Sequence, residues 1–123
     1  MAVLLEPSYA AMRVVFGVLF WFHGAQKLFG LFGGTARPFG SQLWVAGVIE
    51  TGAGGLIALG LFTPWVALLA AGQMAFAYFA SHAPRSPWPI QNGGELAALY
   101  CFAFLYIAAR GGGSFSLDAL RRR

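Results

Sequence analysis

The residues able to do chemistry in this chain are few, and most sit among apolar neighbours. Glu50 lies in the stretch Ile49-Glu50-Thr51-Gly52, well inside a long hydrophobic run. His23 and Lys27 are four residues apart and would share one face of a helix. His82 and Arg85 open, and Asn92 and Glu95 close, a proline-stiffened stretch that reads SHAPRSPWPIQNGGEL. A carboxylate in apolar surroundings must pair with a cation, bind a ligand or hold a proton. Imidazole and ammonium groups beside it could donate hydrogen bonds to a polar ligand head and relay protons.

Other chemistries find little support. There is no nucleophile–base pair at recognisable spacing, no phosphate loop and no dinucleotide fingerprint. Two histidines without an HxxxH or ExxH spacing argue against a metal site. The single cysteine, Cys101, excludes an intrachain disulfide and a CxxC redox pair. The net charge of +4 comes from scattered basic residues plus Arg121-Arg122-Arg123, with no basic face for nucleic acid.

The elements that carry these residues are membrane helices. Of 123 residues, 59% are hydrophobic and only 10% charged, too little charge to cover a soluble fold. Mean hydropathy is +0.67. About 20 helical residues cross a bilayer core, and four segments approach that length: about 9–29, 43–61, 65–81 and 93–110. The expectation is one all-α domain, an integral membrane four-helix bundle, with a short interfacial tail over 114–123. Residues 1–5 lack the basic start of a signal peptide. Rows of small residues, Ala46/Gly54/Ala58, Gly47/Thr51/Gly55 and Ala67/Ala71/Ala75, suit close helix packing in lipid.

Four crossings place both termini on one side. Arg13, Arg110 and the three final arginines favour the cytoplasmic side, against Lys27, Arg37 and Arg85 on the other. His23, Lys27, Glu50, His82, Arg85 and Glu95 then gather in the outer half of the bundle. Glu50 stands about 10 Å along its helix from that end. Each also has a plainer reading. Lys27 can snorkel to the interface, the histidines can bond carbonyls, and Glu95 can cap its own helix.

The series Arg13…Gly17…Phe22-His23-Gly24…Lys27-Leu28, Glu50…Gly54-Gly55, Gly60-Leu61-Phe62-Thr63 and His82-Ala83-Pro84…Trp88-Pro89…Asn92-Gly93-Gly94-Glu95-Leu96…Tyr100 resembles DoxX family membrane proteins, over about 9–110. The resemblance implies a four-helix bundle in a bacterial-type inner membrane and an association with quinone-linked redox systems. DoxD relatives form part of a thiosulfate:quinone oxidoreductase. The expected function is therefore a membrane subunit that binds a quinone or a similar lipophilic molecule, with His23, Lys27, Glu50, His82, Arg85, Asn92 and Glu95 as ligand-binding or proton-relay residues. Electrons would come from a membrane or peripheral redox partner. The alternatives are a small-molecule binding or transport bundle, for which a homo-oligomer could supply internal symmetry, and a structural or assembly subunit. Whether the chain is itself an enzyme or a non-catalytic subunit of an oxidoreductase stays open at this level.

Overall fold

Helix punctuation in the sequence decides where each element begins and ends. In a computed structural model describing residues 1–122, a 3₁₀ turn at Ala2–Leu4 leads into α1 (Leu5–Phe29). The remaining helices are α2 (Gln42–Leu59), α3 (Thr63–Ala77), α4 (Pro89–Asn92), α5 (Glu95–Arg110) and α6 (Leu117–Arg121). No strand occurs among the described residues. Arg123, part of the basic cluster noted above, lies outside them.

Gly30 and Gly60 end α1 and α2 in the left-handed conformation that glycine adopts without a Cβ penalty. Ser41 starts α2, its hydroxyl accepting the Trp44 N–H at 3.2 Å. Relative to the sequence expectation, α1 starts four residues earlier and α3 starts at Thr63, with Pro64 in its first turn. A π turn, Tyr78–His82, extends α3, and the Ala83 N–H reaches back to the Tyr78 carbonyl at 2.8 Å.

Among the described residues, three stretches are long and apolar enough to cross a membrane: Ala2–Phe29, Gln42–Leu59 and Thr63–His82. The fourth expected crossing is shorter. The 16 residues of α5 rise about 24 Å, less than the roughly 30 Å of a hydrocarbon core. Trp65, Phe79 and Phe102 are among many large apolar side chains facing outward, a surface suited to lipid.

α1 packs along α2, α2 meets α3, and α3 packs along α5. The α1–α2 seam is backbone against backbone. A Cβ on Gly17 would fall 2.6 Å from the Ala58 nitrogen, and one on Gly24 would fall 2.5 Å from the Thr51 nitrogen. The seam thus uses Gly17 and Gly24, seven residues apart, against Gly47, Thr51, Gly54 and Ala58. It draws from both of the small-residue rows expected on α2. Without a hydrophobic drive between helices in lipid, such close approach supplies the association energy. Ala67, Ala70 and Ala71 do similar work for α3. The backbones of α1 and α5 barely touch. Instead, Phe16 and Phe20 reach across to Tyr100 and Phe104, which stack at 5.4 Å.

Candidate functional site: a carboxylate cavity between the helices

The α1–α2 approach that the glycines permit brings Lys27 onto Glu50. A Cβ on Gly47 would fall 2.9 Å from the Lys27 Cβ, so the bare glycine one turn before Glu50 makes room for the lysine stem. Lys27 Nζ then donates to Glu50 Oε1 at 2.8 Å. Glu50 is only 3% exposed. Its second oxygen, Oε2, is buried and has no hydrogen-bond partner. An ionised carboxylate in an apolar setting holds several acceptor sites, and leaving half of them empty is costly. The unfilled oxygen marks a place for a donor.

That donor has space to enter. A cavity of about 340 Å³ lies against Lys27 and Glu50 and is walled by Phe20, Met74, Ala97 and Tyr100. Its volume falls within the range of small-molecule sites, and its make-up, apolar walls with few converging polar groups, is typical of them. His23 lines it as well, standing edge-on to the Tyr100 ring at 6.0 Å.

His82 lines the same cavity, presented by the π turn. Its Nδ1 lies 3.1 Å from the Asn92 carbonyl oxygen. A carbonyl can only accept, so Nδ1 carries the hydrogen and the neutral ring keeps Nε2 free as an acceptor. Asn92, 1% exposed, does not line the cavity. Its amide donates to the Tyr78 hydroxyl and the Ser86 carbonyl, and its Oδ1 accepts from the Gly94 N–H at 2.7 Å. Asn92 therefore ties the 83–94 link to the end of α3 and holds His82 in place. Arg85 and Glu95 are exposed and stand outside the cavity wall. Four of the seven candidate residues, His23, Lys27, Glu50 and His82, thus meet around one space, with Asn92 behind them.

Arg13 and Asp118, at the other end, were not among the candidate residues. Arg13 is fully buried in α1. Its guanidinium donates to the Ile57 and Ala58 carbonyls at 2.7 and 2.6 Å, and to the Phe115 carbonyl at 2.6 Å. It is a cation at the C-terminal end of α2, where the helix dipole and unfilled carbonyls favour one. Asp118 works at the start of α3. Its two oxygens accept the Phe62 and Thr63 N–H groups, each at 2.9 Å, and its own N–H donates to the Gly60 carbonyl at 2.8 Å. Burial alone would raise the Asp118 pKa, but these hydrogen bonds and the nearby Arg121 charge outweigh it and hold the carboxyl below its ordinary range. Glu6 completes the strap, pairing with Arg110 at 2.6 Å and accepting the Ser114 N–H at 2.9 Å. The segment expected to rest on the interface is thereby bound to the α2–α3 turn. The available signal was Arg13 itself, a lone cation within an apolar run.

The family model described as DoxX matches residues 8–83, which carry His23, Lys27, Glu50 and His82 but stop short of Asn92 and Glu95. A Haemophilus influenzae protein described as "Uncharacterized protein" is 40% identical over 121 residues, covering 92% of this chain and 90% of its own length. No solved structure matches. On the strength of the family match over most of its length, this chain belongs to the DoxX family.

Proposed function

We propose that this DoxX-family chain is a membrane subunit of a quinone-linked redox system and binds a quinone, or a similar lipophilic small molecule, in the cavity beside Glu50. The observation that carries the reading is the buried Glu50 carboxylate, bound through one oxygen to Lys27 and forming part of the cavity lining. A quinone needs a hydrogen-bond donor at each carbonyl. Lys27 and His23 line the space and can donate, while His82, whose Nδ1 hydrogen is on the Asn92 carbonyl, offers Nε2 as an acceptor for a quinol hydroxyl. Reduction to the quinol consumes two electrons and two protons. The electrons come from a membrane or peripheral redox partner. Glu50 is the group that passes protons at the head, its unpartnered oxygen accepting a hydroxyl proton or delivering one.

In this reading α4 and α5 together form a fourth crossing, with Glu95 in the outer headgroup region. Arg110, Arg121 and Arg122 support a cytoplasmic placement of both termini in a bacterial-type inner membrane. Arg13 drops out of that charge count because it is buried against backbone carbonyls.

The test is mass spectrometry of organic extracts from protein purified in mild detergent, comparing wild type with Glu50→Gln. A quinone or isoprenoid at about one per chain in the wild type, and depleted in the variant, is the expected result. A second reading draws on the same ion pair, which also ties α1 to α2: a brace inside a structural or assembly subunit. It predicts equal, empty extracts and a lower melting temperature for Glu50→Gln.

A further inference from the structure

The polar cavity does not end at its own walls. Leu96 and Tyr100 border it, and the same two residues border two further depressions along the α1–α5 seam. One, of about 370 Å³, continues past His23 to Leu19 and Phe22. The other, a groove of about 500 Å³, runs on between Met12, Phe16 and Leu19 of α1 and Leu99, Phe102 and Ala103 of α5. From Leu96 to Tyr106 the groove follows α5 for about 15 Å. The sequence explains why the seam is open. α1 has its paired glycines, Gly17 and Gly24, turned toward α2. Toward α5 it offers Phe16 and Phe20 instead, and bulky rings hold the two backbones apart.

We infer that this seam is a lateral entrance: the ligand is an amphiphile that enters from the bilayer between α1 and α5, its polar head reaching Lys27 and Glu50 and its aliphatic tail lying in the Met12–Phe102 groove. The inference rests on the head-group reading above and adds the route and the second half of the ligand. Three features support it. The unpartnered Glu50 oxygen fixes the polar end. The groove lining is almost wholly apolar and suits a chain without hydrogen-bonding groups. Leu96 and Tyr100 line both the cavity and the groove and so join the two, with the Phe16 and Phe20 rings packed on Tyr100 between the helices. An entrance through the side of the protein keeps a lipophilic ligand out of water throughout.

The experiment uses the full chain in lipid nanodiscs and two probes with the same dimethoxy-methyl-benzoquinone head. One probe has no tail; the other has a decyl tail ending in a photoreactive diazirine. Illumination and peptide mapping give the position of the tail. The expected result is labelling at Met12, Leu19, Leu99 or Ala103 that is competed by unlabelled decyl quinone and reduced in Glu50→Gln. In Ala103→Phe, which fills the groove floor away from Lys27 and Glu50, labelling falls about tenfold, equivalent to about 1.4 kcal/mol, while the tail-less probe binds as in wild type. Saturable, Glu50-dependent head binding with labels elsewhere would overturn the lateral entrance and leave the head site standing. Groove labelling indifferent to competitor and to Glu50→Gln identifies ordinary bilayer lipid there and also overturns it. No saturable binding of either probe removes the head-group reading and this inference with it.

Discussion

Replacing Gly54 with alanine adds one methyl group at a backbone-to-backbone contact of the α1–α2 seam. The new carbon would lie 2.7 Å from the Trp21 nitrogen, 2.8 Å from the Gly17 oxygen and 3.0 Å from the Trp21 Cα. All three are backbone atoms, so no side-chain rotation relieves the contact. Reaching ordinary van der Waals distance moves the helices apart by about 0.7 Å, from 2.7 to 3.4 Å. A gap of that size forfeits roughly a quarter to a half of each dispersion contact along the seam. Overpacking of this kind costs about 1–3 kcal/mol. Against it stands the better helix propensity of alanine, up to about 1 kcal/mol. The net expectation is a destabilisation of up to about 2 kcal/mol, and a gap of about 1–3 kcal/mol from a control that gains the propensity term alone. Gly52→Ala is the matched control, two residues away on the same helix, where a Cβ meets nothing within 4 Å. That variant gains the propensity term alone and should be neutral or slightly stabilised. Reversible unfolding in mixed detergent–SDS micelles gives both values from one titration. Equal stability of the two variants would refute the backbone-contact account of the α1–α2 pair.

Further outcomes follow from the ion pairs and the strap. Asp118 has a lowered pKa in the folded protein, so its contribution is full above the unfolded value of about 3.9 and is lost as pH falls through the lower folded value. Asp118→Asn should lose about 1 kcal/mol at neutral pH, a typical helix-cap cost, and should flatten the acid limb of a melting-temperature profile. Arg13→Met leaves the Ala58 and Phe115 carbonyls without the guanidinium. With hydrogen bonds to a charged group at about 1.5–3 kcal/mol each, it should cost about 3 kcal/mol or more in the same unfolding assay. Arg13→Lys should recover only part, because one ammonium cannot fork across three carbonyls. For Lys27 and Glu50, a double-mutant cycle with Met and Gln should give a coupling of about 1 kcal/mol or more. A value near zero would mean that the pair behaves like an exposed surface bridge.

Composition and small-residue spacing made the helices legible before any coordinates. Glu50 stood out because a carboxylate in an apolar run has few explanations, and His23 and Lys27 followed from helical spacing. What was not legible depended on contacts across long stretches of chain. Arg13 meets Ile57 and Phe115, 44 and 102 positions away. Asp118 meets backbone amides, which leave no trace in residue types. The seam glycines were partly hidden for a related reason. Gly17 and Gly24 are seven residues apart, so the four-residue rows on α2 did not reveal their partners. Asn92 entered the candidate set through its place in the family pattern; in the fold its amide bonds within the link that carries His82.

The strap formed by 114–121 also sets an order of events during synthesis. The α2–α3 hairpin can enter the membrane as soon as it is made, but the carboxylate that closes the start of α3 is translated 55 positions after Thr63. Until then the Phe62 and Thr63 amides and the Gly60 carbonyl lack the partners that Asp118 supplies. Assembly therefore has a late checkpoint. A chain whose translation stops before Asp118 carries every long helix yet leaves the α2–α3 turn without these hydrogen bonds.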